Sequence, residues 1–432
     1  MITIRDTAFD FNAGLDAIER IEHTDLGKTL PSRPWAEFPA HEYGRRYARL
    51  RTLMEREGID CAVFTQEENV RYFSGYLSVL WVSKFRPLMA LLPADVSVDG
   101  AVLVSGQEME NARGTSWVEN PTVFSPQHPP MPHLAQLLTD MVGDRARVGI
   151  ELGFGQRLGL NIEQLRELES LVPGIELVDI TPLSECVRML KSDLEVDLLR
   201  TSSEISCQGV RAGWEALREG VSEHDIASVI GARMLSLGAE IGSARGSFLG
   251  IMAGSRLLFS NALATDRETL SAGDMVLIDG GASYKGYLTD FIRQASLGPM
   301  DPEARRWLDV AIEANHRAID AVRPGAVASD VYETAMVAFG DHGLREFNRM
   351  TIIGHGIGAD VHELPWIGEG GIVYTSDTVL REGMVLAIEP ALGSPGQGPF
   401  GRFIVENIVA VTADGTELLT ASLPDSMWYV DA

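Results

Sequence analysis

The chain has 432 residues, enough for two or three domains that each bury a core. Hydrophobic residues make up 45% of it and charged residues 22%, the balance of an ordinary soluble globular protein. Its 61 acidic residues outnumber 36 basic ones, and the net charge of −25 argues against nucleic acid or an anionic membrane as a partner. Divalent cations are one way to neutralise part of that acid. Cys61, Cys186 and Cys207 are odd in number and widely spaced, so they read as small buried apolar residues, with no disulfide framework. The first residues hold no apolar segment of signal-peptide length, and no run approaches the roughly 20 apolar residues of a membrane span. A cytoplasmic protein is expected.

In chain order, residues 1–40 are mixed and punctuated by Pro31, Pro34 and Pro39, and read as an extended N-terminal arm lying on another surface. Helical spacing starts near Glu42, with Tyr43, Tyr47, Leu50, Leu53 and Met54 on one stripe, and stops at Gly58. Strands follow at Cys61–Phe64, Leu88–Leu92, Ala101–Val104 and, more weakly, Thr122–Phe124. Helices near 132–142 and 162–171 precede strands at 148–152 and 175–178. This alternation predicts an α/β domain over 41–188. From 189 the pattern changes. Ser192 with Glu195 forms a capping box for a long helix, and Ser222 with Asp225 opens a second. Pro302 after Asp301 starts a third, and Ser329-Asp330 a fourth. Strands are expected at 248–253, 351–353, 384–389 and 403–411. Helices with antiparallel hairpins predict an α+β domain over 189–432.

Chemistry concentrates in that second domain. Met275–Ile278 is an apolar run ending on Asp279, and Thr289-Asp290-Phe291-Ile292 reads as the returning strand. A hairpin centred between Tyr284 and Lys285 would set Asp279 opposite Asp290 on one face. Such a pair either sits at the solvent edge or holds a metal. Met384–Ile388 likewise ends on Glu389, while Glu406 falls inside the apolar run Phe403–Val409, where an unpaired charge is costly. The Gly/Pro-rich loop 393–399 makes Glu389 and Glu406 a second facing pair. Gly354-His355-Gly356 brings an imidazole close to other groups, and His362 follows seven residues on. Each alone has a structural alternative, a turn residue or a loop His. Together, four carboxylates and a His are a full ligand set for two divalent ions, with imidazole favouring Mn, Fe, Co or Zn over Mg or Ca.

The order Asp279, Asp290, His355 in Gly-His-Gly-Ile-Gly, Glu389 in Ile-Glu-Pro and Glu406 in Val-Glu-Asn resembles the pita-bread metallopeptidase family. That family includes methionine aminopeptidase, aminopeptidase P, prolidase and creatinase. Asn69-Val-Arg-Tyr-Phe-Ser-Gly-Tyr76 is similar to the N-terminal domain of its aminopeptidase P and creatinase members. The resemblance implies an α+β pita-bread catalytic domain preceded by an α/β creatinase-type domain. It also implies two divalent metals, manganese foremost, on Asp279, Asp290, His355, Glu389 and Glu406. Glu389 would then move the proton and His362 would steady the tetrahedral intermediate. A homodimer follows from the resemblance alone.

Where proline-cleaving members carry two more histidines, this chain has Asn261 and Thr351, and their Arg before the last Glu is Ile404, with Arg402 nearby. Trp81, Lys84 and Arg86 lie in a segment that reaches the neighbouring active site in creatinase-like relatives. They are candidates for a zwitterionic substrate, the alternative being a core Trp with solvated basic neighbours. The segment also resembles one in the family's dimethylsulfoniopropionate lyases, which place an extra Asp where this chain has Gly281. The expectation is a dinuclear hydrolase of a C–N amide bond in a dipeptide or peptide-like compound, of the Xaa-Pro dipeptidase kind. A creatinase- or ectoine-hydrolase-like enzyme, or a C–S lyase, is the alternative, and a silent binding module the third.

Overall fold

A computed structural model describes residues 2–3, 9–83, 85–125, 130–241, 246–259, 262–348, 350–393 and 401–431. Two compact units divide the chain, one running to Arg188 and one from Met189 onward.

The first unit is a seven-stranded mixed sheet. Its spatial order is Ile2–Thr3, Glu176–Asp179, Arg147–Ile150, Cys61–Phe64, Met89–Pro93, Ala101–Ser105 and Thr122–Phe124. One face carries Cys61, Val63, Leu91, Leu103 and Val148, alternate residues that pack with Leu134 and Leu138 of helix Pro130–Val142. Helix Ala40–Glu57 buries the stripe read from the sequence, and Gly58 closes it at φ 65°.

The N-terminal stretch departs from expectation. Instead of an extended arm it folds into helix Phe11–Ile18, capped by Asp10 accepting from the Ala13 N–H at 3.0 Å. Leu15, Ile18 and Leu26 are fully buried. Arg49 and Arg56, from the following helix, donate to the carbonyls of Ile21 and Ala13. Eight helical residues give too short a period to stand out.

The second unit repeats one plan twice: a helix pair, then three antiparallel strands. Asp193–Glu215 and Glu223–Ser236 precede Phe248–Ala253, Met275–Gly281 and Phe291–Leu297. Pro302–Ala321 and Ala328–Asp341 precede Ile352–Gly356, Val385–Ile388 and Asn407–Thr412. Both sequence-read capping boxes form, Ser192 with Glu195 and Ser222 with Asp225. The first half's core gathers Trp214, Ile226, Ile230, Val276, Ile278 and Phe291 between its helices and its sheet.

Two local expectations are corrected. The aspartate hairpin is centred one residue later, with Tyr284 paired to Tyr287 around Lys285-Gly286. Both central residues take positive φ, 48° and 77°, as a type I′ turn demands. Asp279 therefore pairs with Ile292 and not with Asp290, which falls just before the strand. The last apolar run is also not one strand. Phe403–Ile404 pairs with Ala391–Leu392, Asn407–Thr412 pairs with Val385–Ile388, and Glu406 sits in the break.

Candidate metal centre

Asp279, Asp290, His355, Glu389 and Glu406 come together although 127 positions separate the first from the last. Oxygens of Asp279, Asp290 and Glu406 lie within 4.8 Å of one another, as do ligand atoms of His355, Glu389 and Glu406. The same span holds for Asp290, His355 and His362, so His362 stands at the rim of the cluster.

Each half delivers its carboxylates differently. The aspartate hairpin rests on helix Asp193–Glu215 through hydroxyls. Ser202 Oγ donates to the Ala282 carbonyl at 2.7 Å, Ser206 Oγ accepts the Ala282 N–H at 2.8 Å, and Thr289 Oγ1 donates to Ser202 Oγ at 2.8 Å. The register that pairs Ile388 with Asn407 and Ala391 with Ile404 sets Glu389 across from Glu406. Asn315, on helix Pro302–Ala321, donates to the Ile388 and Val405 carbonyls at 2.6 and 3.1 Å. Asn407 donates to Asn315 at 2.8 Å and accepts from Arg293 at 2.8 Å. Arg293 also donates to the Glu406 carbonyl at 2.6 Å and pairs with Asp425 at 2.9 Å, while the Glu406 N–H reaches the Ile292 carbonyl at 3.3 Å. A buried guanidinium needs such partners. From sequence alone, Arg293, Asn315 and Asn407 carry no functional expectation. A charged residue two places into an apolar strand was the available signal for Arg293.

His355 is held by close backbone approach. A Cβ at Gly354 would lie 2.4 Å from the Ala387 carbonyl, and one at Gly356 2.2 Å from that of Leu364. Nδ1 sits 2.9 Å from the Gly356 carbonyl, which places its proton there and leaves Nε2 as a lone pair. Nε2 lies 3.8 Å from Glu406 and 3.9 Å from Glu389.

The electrostatics call for cations. Burial raises Asp290 well above the usual carboxylate range, and the charges of Asp279 and Glu389 add to it. Burial does the same to Glu406, reinforced by Asp290. Glu389 is raised to about 7 by burial, with Arg402 opposing and Asp279 adding. Burial lowers His355 to about 3, and His362 adds to the fall. Asp290 Oδ1, His355 Nε2 and Glu406 Oε1 are buried without hydrogen-bond partners. Such atoms are costly unless something else engages them. A set of carboxylates and one neutral imidazole, with orphaned lone pairs converging, fits divalent metal ions.

Beside the cluster opens a cavity of about 670 Å³, a size that suits a small ligand. Phe248, Leu263 and Met350 give it apolar walls, and His362 and Arg402 line it. The Arg402 guanidinium stands 4.0 Å from Glu389. Thr351 is exposed beside Met350. In the first unit, Trp81 packs edge-on against Tyr76 at 6.4 Å and Arg86 is exposed. Lys84 and Asn261 lie outside the described residues.

Known proteins bear on this arrangement. Residues 46–190 match the creatinase/prolidase N-terminal domain, and residues 197–413 match metallopeptidase family M24. An Xaa-Pro dipeptidase of Lactobacillus delbrueckii subsp. lactis is 26% identical over 86% of this chain and 95% of its own length. A creatinase of a Bacillus species is 24% identical over 94% of this chain and 97% of its own length. Among solved structures, prolidase from Thermococcus sibiricus superposes with a TM-score of 0.79 at 22% identity, over 90% of this chain and 99% of that one. Dipeptidase PepE from Mycobacterium ulcerans gives 0.76 at 25% identity, over 90% and 98%. The carboxylate cluster thus sits where a family model spans half of the sequence, and the chain belongs to metallopeptidase family M24, metal-dependent hydrolases of the pita-bread fold.

Proposed function

We propose that the chain hydrolyses the C–N amide bond of a dipeptide or similarly small peptide-like substrate. Two metal ions, manganese foremost and Fe, Co or Zn as alternatives, would be held by Asp279, Asp290, His355, Glu389 and Glu406. The observation that carries this reading is the convergence of three buried, partnerless ligand atoms from Asp290, His355 and Glu406. When bound, such ions lower the pKa of water and polarise a carbonyl. Glu389, at the cavity wall, takes the proton of the attacking water and delivers it to the leaving nitrogen. His362 faces the cavity and donates to the oxygen that gains charge. Arg402 receives the carboxylate of the substrate, and the apolar wall of Phe248 and Leu263 receives its side chain. We further propose a cytoplasmic homodimer in which Trp81, Lys84 and Arg86 complete the substrate site. No described helix is long and apolar enough to cross a membrane.

The second reading is a small-molecule C–N hydrolase of the creatinase kind. The match to a creatinase over nearly its whole length favours it, as do Asn261 and Thr351 in place of histidines. A C–S lyase is disfavoured on geometry. A Cβ at Gly281 would lie 1.8 Å from the Thr289 carbonyl, so no acidic side chain fits beside Asp279 on this backbone. The test sets Xaa-Pro dipeptides such as alanyl-proline beside creatine, ectoine and a sulfonium zwitterion, with metal content measured in parallel. The first reading expects dipeptide cleavage that a chelator abolishes and manganese restores. Turnover of creatine or ectoine alone would replace it with the second.

A further inference from the structure

His362 sits on an irregular loop, residues 357–362, between strands Ile352–Gly356 and Glu363–Gly368. The pairing of Gly356 with Glu363 closes its ends, and an ion pair remote in sequence adds a second tie. Lys191 Nζ lies 2.9 Å from Glu363 Oε2, and the two side chains are 2% and 1% exposed. Glu363 Oε1 accepts the Asp360 N–H at 3.0 Å, so one carboxylate ties the loop across its width. The Gly358 carbonyl accepts the Leu288 N–H at 2.9 Å, and Gly358 N–H donates to Asp360 at 3.1 Å, which leaves the loop resting on the aspartate hairpin. At its other end Lys191 donates its own N–H to the Gly383 carbonyl at 3.0 Å, just ahead of the strand that leads to Glu389. One lysine therefore links the loop bearing His362 to the strand that leads to Glu389. A buried pair of this kind contributes little net stability against a well-packed apolar pair, but it fixes a register.

We propose that Lys191 and Glu363 are positioning residues: their ion pair holds His362 at the distance from Asp290 and His355 that hydrolysis requires. The inference rests on the role given above to His362. It explains why two charges are buried beside a cluster already rich in carboxylates, where an apolar pair would fill the space.

The experiment is a double-mutant cycle on the holoenzyme with alanyl-proline, combined with hydrogen exchange on the metal-free protein. Lys191→Met should lower kcat about 10- to 100-fold, by analogy with the loss of outer partners at metal sites, with KM within about twofold and metal content unchanged. In a His362→Ala background the same change should cost nearly nothing, because the residue it positions is gone. Exchange should quicken at 358–362 and stay as before in the flanking strands. Glu363→Gln keeps an acceptor for Asp360 and should lie between wild type and Lys191→Met. The charge-free pair Lys191→Met with Glu363→Gln serves if a single variant fails to fold, and should show the same local exchange. Equal losses in both backgrounds, with His362→Ala itself costly, would overturn the positioning role alone. A His362→Ala enzyme with normal kcat would overturn the role of His362 and this proposal with it.

Discussion

The two halves of the catalytic unit share a plan and differ in how each holds its acids. In the first, the hairpin lies close against its helix because Ser202 and Ser206 are small, and neutral hydroxyls bond its backbone. In the second, the backbone on both sides of Glu406 is gripped by Asn315, Asn407 and the buried cation Arg293. The second half also supplies His355 and His362. Neutral hydroxyl contacts can be lost one at a time for about 1 kcal/mol each. A network around a buried guanidinium fails as a unit, since each deletion strands a charge or a carboxamide. The strands that flank Glu406 are only two and six residues long, so the ladder alone holds that carboxylate weakly. The network does what a longer strand would otherwise do.

The largest expected effect ignores this difference. Asp290→Ala and Glu406→Ala, one from each half, should each abolish activity and reduce bound metal from two ions to fewer than about one. Elemental analysis beside an activity assay checks both, and activity surviving in the metal-free protein would end the metal reading. The metal-free protein should respond in the opposite sense. Glu406→Gln removes one of four crowded carboxylates and should raise its Tm, because the site is built for function at the expense of stability. Next in size is Arg293→Met, which takes the guanidinium from the Glu406 carbonyl and from Asp425, leaving Asp425 only Asn407 and His316. A loss of about 3–5 kcal/mol is expected for breaking a buried pair on one side. Urea unfolding measures it. A loss under about 1 kcal/mol would mean that the two halves are held alike.

What the sequence made legible follows the range of each interaction. The capping boxes at Ser192 and Ser222 act across three residues, and the Gly58 stop across one turn, so they could be read directly. The four clustered acids were legible because each borders or interrupts an apolar run, and His355 because glycines flank it, anomalies visible in one dimension. The hairpin register was not, because Lys285 adopts positive φ, which few residues other than glycine do, and this moved the turn by one place. Arg293 finds partners 113 to 132 positions away, and nothing local announces them. The split of the last strand is likewise a tertiary event, since Phe403 and Asn407 answer to different partners.

Smaller effects sharpen the contrast. Ser202→Ala leaves the Ala282 carbonyl and the Thr289 hydroxyl short of one bond each, and about 1 kcal/mol should be lost. Chemical denaturation should find this loss the same at every pH, because none of the groups involved titrates.

The glutamate half should instead carry a pH signature. His316 Nε2 lies 2.6 Å from Asp425, the same carboxylate that pairs with Arg293. The hydrogen bond to Asp425 raises His316 above its ordinary value of 6.5, so folding favours the protonated ring. The native state then holds a proton that the unfolded chain releases near 6.5, and stability falls as pH rises from there through the folded value. Below 6.5 the full contribution is present. The His316 side chain is 53% exposed, so solvent screening keeps the effect below about 1 kcal/mol. His316→Asn should remove that contribution and leave stability almost unchanged at pH values above the folded value. Urea midpoints taken from pH 5.5 to 8.5 on wild type, Ser202→Ala and His316→Asn test both halves at once. Parallel curves for the first two and a shallower one for the third are expected. If the His316 variant kept the wild-type slope, Asp425 would be anchored by Arg293 and Asn407 without help from His316, and the glutamate network would end there.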